Sequence, residues 1–215
     1  MNSDDLIANL SRRPPREGRL PPTAAIVCAA LISLGAALML SMLWLKPRSD
    51  LAIPLIVDNH VFLLKLGFAV SVIMGALPIV RDLSIPGRRV GLGSPLTAAP
   101  FVMVIVLAVH ELADRHFGAL SYLGDHSVLQ SLWQIPVLAV PAVLILAGVV
   151  RSLGPTNLRL TGAYVGLLAG GIGALGYALH CHHDSVAFVG VAYTLAILET
   201  AVLGALVGPR ILRWT

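Results

Sequence analysis

Five consecutive side chains, His180, Cys181, His182, His183 and Asp184, are each of a type that can bind a metal ion, and Tyr177 stands just before them. Imidazole and thiolate suit zinc, copper and softer heavy-metal cations. In an extended segment, a two-residue step such as His180 to His182 places two ligands on one side. A transient heavy-metal ion held by this stretch is one expectation. A reactive thiol at Cys181 is another, since neighbouring imidazolium favours thiolate chemistry. A solvated polar turn is the third, because adjacent residues rarely converge on one ion and no second cysteine or regular histidine spacing completes a zinc site.

Two more ionisable residues, Lys65 and Glu199, fall inside long apolar stretches, where burying a charge costs at least ~2.5 kcal/mol and so marks a functional candidate. Lys65 lies about one turn from the end of its stretch and Glu199 about 13 residues in, so at 1.5 Å per residue their depths differ by more than about 10 Å. They are not expected to pair. Lys65 can snorkel outward along its methylene stem, and Glu199 is expected to be protonated or hydrogen-bonded inside a helix bundle. The second cysteine, Cys28, falls at the opposite depth from Cys181, beyond the roughly 7 Å that a disulfide allows, and reads as a small packing residue.

The elements that carry these residues are set by composition. With 57% hydrophobic and 12% charged residues and a mean hydropathy of +0.85, the chain has too little polar surface for a soluble globule. A helix needs about 20 apolar residues to cross a hydrocarbon core of ~30 Å. Six stretches qualify: 24–45, 61–80, 95–113, 132–150, 160–179 and 186–208. The expected fold is therefore all-α, an integral membrane bundle of six transmembrane helices. The fifth stretch carries Gly162, Gly166 and Gly170 at four-residue spacing, a small-residue face that lets helix backbones approach, and is expected to be the most buried.

Arginine placement orients the bundle, because cytoplasmic loops carry the excess of positive charge. Eleven of the fifteen Lys and Arg residues fall on one side, among them Arg12, Arg13, Arg81, Arg88, Arg151, Arg159, Arg210 and Arg213. With an even number of spans, both termini are expected in the cytoplasm and the His180 to Asp184 turn outside. The net charge of +4 then calls for anionic lipid headgroups, with no direct nucleic-acid partner. Residues 1–23 form a cytoplasmic N-terminal segment, 24–208 the membrane domain and 209–215 a cytoplasmic tail. In the first segment Asp4 and Asp5 suit the first turn of a short helix, and Leu6, Ile7 and Leu10 form an apolar stripe. So short a helix has no core of its own to bury that stripe, which points to docking on a partner.

Three stretches carry a resemblance over essentially the whole chain: Asp4-Asp5-Leu6-Ile7 with Leu10, then Tyr177-Ala178-Leu179-His180-Cys181 with Asp184-Ser185, and Gly208-Pro209-Arg210-Ile211-Leu212-Arg213-Trp214. The chain resembles the negative regulator of sigma F family, bacterial membrane-bound anti-sigma factors with six spans. The resemblance implies that Asp4, Asp5, Leu6, Ile7 and Leu10 help hold an extracytoplasmic-function sigma factor at the inner membrane, released on a redox or heavy-metal stress outside. It also implies a sensing cysteine at Cys181 and a second at the outer end of the fourth span. That second position falls on Ser131, so a two-cysteine switch is absent from this chain. A regulator without catalysis and without a resident cofactor is the leading expectation. A small six-helix transporter or metal-ion pathway, suggested by Lys65, Glu199 and the histidine-rich mouth, is the alternative.

Overall fold

A computed structural model describes residues 20–45, 59–88, 93–114, 126–183 and 185–213. These form six helices: α1 (Pro22–Trp44), α2 (His60–Ser84), α3 (Gly93–Asp114), α4 (His126–Leu153), α5 (Leu158–Ala178) and α6 (Val186–Ile211). Each is long and apolar enough to cross a membrane, and no strand occurs among the described residues. The helices outrun the apolar stretches in several places. At 21 to 28 residues they extend roughly 32 to 42 Å, longer than a hydrocarbon core of about 30 Å, a length that leaves room for polar side chains at the helix ends. Thus α4 begins at His126 and α6 runs on through Pro209 to Ile211.

Helix starts follow local chemistry. Asn59 accepts a hydrogen bond from Phe62 N at 2.9 Å and Asn157 one from Leu160 N at 3.1 Å, each satisfying an otherwise unpaired amide of a first turn. α1 instead begins with proline at its first position, where the missing N–H costs nothing. Gly154 takes φ +78° in the short connection from α4 to α5, a left-handed conformation that suits glycine.

α5 is the centre of the bundle and its most buried helix, packing on α1, α2, α4 and α6. Glycine makes this possible on four sides. A Cβ at Gly166 would collide with the carbonyl oxygen of Thr200 and meet Ala201 Cα at 3.0 Å, while one at Gly162 would collide with the Gly204 carbonyl on α6. The relation is reciprocal, since a Cβ at Gly204 would strike Gly162. Gly173 faces the backbone of α4 at Ile135 and Ala139, Gly171 faces Val72 and Ile73 of α2, and Gly176 faces Ala37 of α1. Ser41 of α1 also donates to the Gly176 carbonyl at 2.7 Å.

α3 is held differently. It packs on α2, where Thr97 donates to the Gly75 carbonyl at 3.2 Å, and on the first turns of α6. Further along, a cleft of about 350 Å³ lined by Thr97, Phe101, Tyr164, Leu167 and Leu198 separates α3 from α5 and α6. One expectation is corrected on α1. Its inward face is Ile26, Ala29, Ala30, Ser33, Ala37 and Ser41; Cys28 lies off that face and is exposed, so it is no core packing residue.

Gly166→Val is expected to destabilise the bundle by about 1–3 kcal/mol, as over-packing a tight contact does. Gly35→Ala, with no atom within 4 Å of the added Cβ, is expected to be neutral or stabilising by up to about 1 kcal/mol. Thermal unfolding of the purified variants in detergent checks the pair, and equal melting of the two would contradict the packing.

Candidate functional site

The end of α5 builds the candidate site. Its last turn closes as the amides of His180 and Cys181 both donate to the Tyr177 carbonyl at 3.0 Å, and this fold-back turns Cys181 inward until it is only 3% exposed. Lys65 of α2 reaches the same point. Its ammonium donates to the Cys181 carbonyl oxygen at 3.3 Å and lies 3.8 Å from Cys181 Sγ. A cation there is favoured by the partial negative charge at a helix C-terminus and satisfies a carbonyl that has left the helical ladder.

This corrects the expectation that Lys65 snorkels outward. The inward face of α2 is Phe62, Lys65, Ala69, Val72 and Ala76, at alternating steps of three and four, so Lys65 sits in the packed seam with 0% exposure. A basic group thus reaches the thiol from a different helix, and the Tyr177 side chain is within hydrogen-bonding reach of Cys181.

Around the thiol the aromatic rings form a chain. Tyr177 lies 6.1 Å from His180 and 5.7 Å from Tyr193, Tyr193 lies 6.2 Å from Phe188, and His183 stacks on Phe188 at 5.3 Å. The rings of His180 and His182 are 6.3 Å apart. His182 and His183 are exposed, and among the described residues no three His, Cys, Asp or Glu side chains are grouped to hold a metal ion. Asp184 lies outside the described residues.

α6 is anchored at this end by a residue the sequence reading missed. Glu111, near the end of α3, accepts from Ala187 N at 2.6 Å and from Ser185 Oγ at 3.2 Å, so its carboxylate caps the N-terminus of α6 from a neighbouring helix. Ser185 itself accepts from Phe188 N at 3.5 Å. A π-helical turn, Val189–Tyr193, follows, and within it Gly190 gives α3 room: a Cβ there would stand 2.5 Å from Ala108 Cβ.

The remaining candidates are dispersed. Ser131 is buried on α4, which packs against α5, and its hydroxyl donates to the Val128 carbonyl at 2.8 Å. Glu199 is on the exposed face of α6 and makes no hydrogen bond or ion pair with a described residue, so the expected hydrogen bond inside the bundle is absent among those residues. Helix phase is the reason, since Ile197, Thr200 and Gly208 occupy the inward positions. Asp4, Asp5, Leu6, Ile7 and Leu10 lie outside the described residues. The described arginines 81, 88, 151, 159, 210 and 213 all stand at the end of the bundle opposite Cys181, and Arg88 pairs there with Asp82 at 3.0 Å.

Glu111→Ala is expected to cost about 0.5–2 kcal/mol, the range for loss of a capping acceptor, and to loosen the start of α6 without disturbing α5. Hydrogen exchange at residues 185–190, read beside that of α5, checks both parts. Unchanged protection at 185–190 would mean the carboxylate does not hold this helix.

The family model described as negative regulator of sigma F matches residues 10–214. The probable anti-sigma-F factor NrsF of Azospira oryzae is 32% identical over 205 residues, covering 90% of this chain and 91% of that protein. The anti-sigma-F factor NrsF of Caulobacter vibrioides is 28% identical over the full length of both. No solved structure matches. On the match across residues 10–214, the chain belongs to the negative regulator of sigma F family.

Proposed function

We propose that this chain is a membrane-bound anti-sigma factor. Its six helices cross the bacterial inner membrane with both termini in the cytoplasm, and residues 1–23 hold an extracytoplasmic-function sigma factor away from RNA polymerase through Asp4, Asp5, Leu6, Ile7 and Leu10. The arginine-rich end of the bundle supports that orientation, and the names of the two relatives support a sigma factor as partner.

The observation that carries the sensing half of the reading is the contact of Lys65 with Cys181. It ties the connection between α5 and α6 to α2, whose other end bears Arg81, with Arg88 just beyond it, on the sigma-binding side. A heavy-metal ion or an oxidant acting on the Cys181 thiol changes the sulfur's size and charge beside a buried ammonium. α2 must then re-seat Lys65 or lose its contact with the end of α5, and a two-position helix of this kind is what release requires. Serine at 131 supplies no second thiol, so the signal acts on one thiol per chain. The transporter reading loses its two intramembrane charges, since Lys65 caps α5 and Glu199 faces outward.

Replacing both Leu6 and Leu10 by Asp is expected to abolish co-purification of the sigma factor while leaving membrane insertion intact, because it charges the docking stripe and leaves the spans untouched. Affinity purification through the C-terminus, with the sigma factor quantified by mass spectrometry, checks this. Undiminished recovery of the partner would refute N-terminal docking.

A further inference from the structure

On α6 the exposed side is not merely apolar. Leu195, Glu199, Val202 and Leu206 lie along its centre at successive steps of four, three and four residues, with the three apolar members 49%, 58% and 63% exposed. Steps of four and three are the repeat by which one helix lays a straight seam against another. Glu199 lies thirteen residues beyond Val186 and twelve before Ile211, at the middle of the span. It has no partner among the described residues, and lipid chains offer none.

We propose that this seam is a homodimer interface, in which a second copy of the chain lays the same face of α6 against the first and the two Glu199 carboxyls hydrogen-bond to each other.

A second copy fits where another occupant does not, for reasons of depth and chemistry. Two copies inserted in one membrane share an orientation, so the two-fold axis relating them lies along the membrane normal and brings each Glu199 to the same depth as its mate. A carboxyl group also complements itself, one donating its proton while the other accepts, which a lysine or arginine cannot do. An unrelated partner would need its own polar group at that depth and register. The outward faces of α1 and α3 differ, presenting Leu31, Met39 and Leu43 on α1 and Val102, Met103 and Val106 on α3, surfaces suited to lipid. A single polar residue within an otherwise apolar seam is the known device for fixing register and copy number, and interhelical hydrogen bonds of this kind strengthen association in bilayers.

The test uses the purified full chain in lipid vesicles, with no other protein present. Energy transfer between donor- and acceptor-labelled copies is measured as the protein is diluted in lipid. Glu199→Leu is expected to weaken dimerisation about three- to twentyfold, and Glu199→Gln, which also donates and accepts, to retain most of it. In a Cys28→Ser, Cys181→Ser background, cysteines replacing Leu195, Val202 or Leu206 are expected to cross-link between copies on mild oxidation. Cysteines replacing Leu31 on α1 or Val102 on α3 are not. Cross-linking at the control faces equal to that at the seam, no transfer above that of a monomeric control, or a Glu199→Leu chain that dimerises as well as the unmodified one would each overturn the proposal.

Discussion

The bundle depends on contact between helix backbones along α5. In lipid no hydrophobic driving force draws apolar helices together, so association rests on close van der Waals packing and on hydrogen bonds between helices. Along its glycines α5 meets its neighbours without the spacing a side chain imposes: Gly162, Gly166 and Gly170 touch the backbone or side chains of α6, and Gly173 touches that of α4. A helix carrying ordinary side chains would hold its neighbours 8 to 10 Å away by axis. With small residues on several sides, α5 serves four neighbours at once, and the positions of α1, α2, α4 and α6 follow from it.

The candidate site is a consequence of that centre. Because α5 is enclosed, its C-terminal carbonyls emerge inside the bundle, and the Cys181 carbonyl is met by a lysine from α2 in place of water. Two polar contacts at this end then join four helices: Lys65 joins α2 to the end of α5, and Glu111 joins α3 to the start of α6. The second matters most for α3, which a cleft separates from α5 and α6 further along. A thiol placed among these contacts is positioned to disturb several helices from one atom.

Much of this was legible in the sequence, and the misses share a cause. Apolar run length announced all six helices, and the four-residue glycine spacing announced the buried centre, because both depend on composition alone. The directions of Lys65, Cys28 and Glu199 depend on helix phase. In a soluble helix the polar face marks the outside, but a helix such as α1 is apolar all round, so nothing in its pattern says which side faces inward. A lone lysine in an apolar run suggests a side chain seeking water, yet Lys65 sits in the seam with Phe62 and Ala69; a lone glutamate suggests an inward one, yet Glu199 faces out. Glu111 was missed because it caps a helix 76 positions away, where no local spacing can show the pairing.

The proposed link between the thiol and the sigma-binding side is open to direct measurement: the affinity of the full chain in lipid nanodiscs for its cognate sigma factor, before and after Cys181 is converted to a methyl disulfide. The comparison is made in a Cys28→Ser background, so that only one thiol reacts. Coupling through Lys65 and α2 predicts weaker sigma-factor binding after modification, and no change when Cys181→Ser is treated in the same way. Complete modification of Cys181, verified by mass, with undiminished affinity would contradict it.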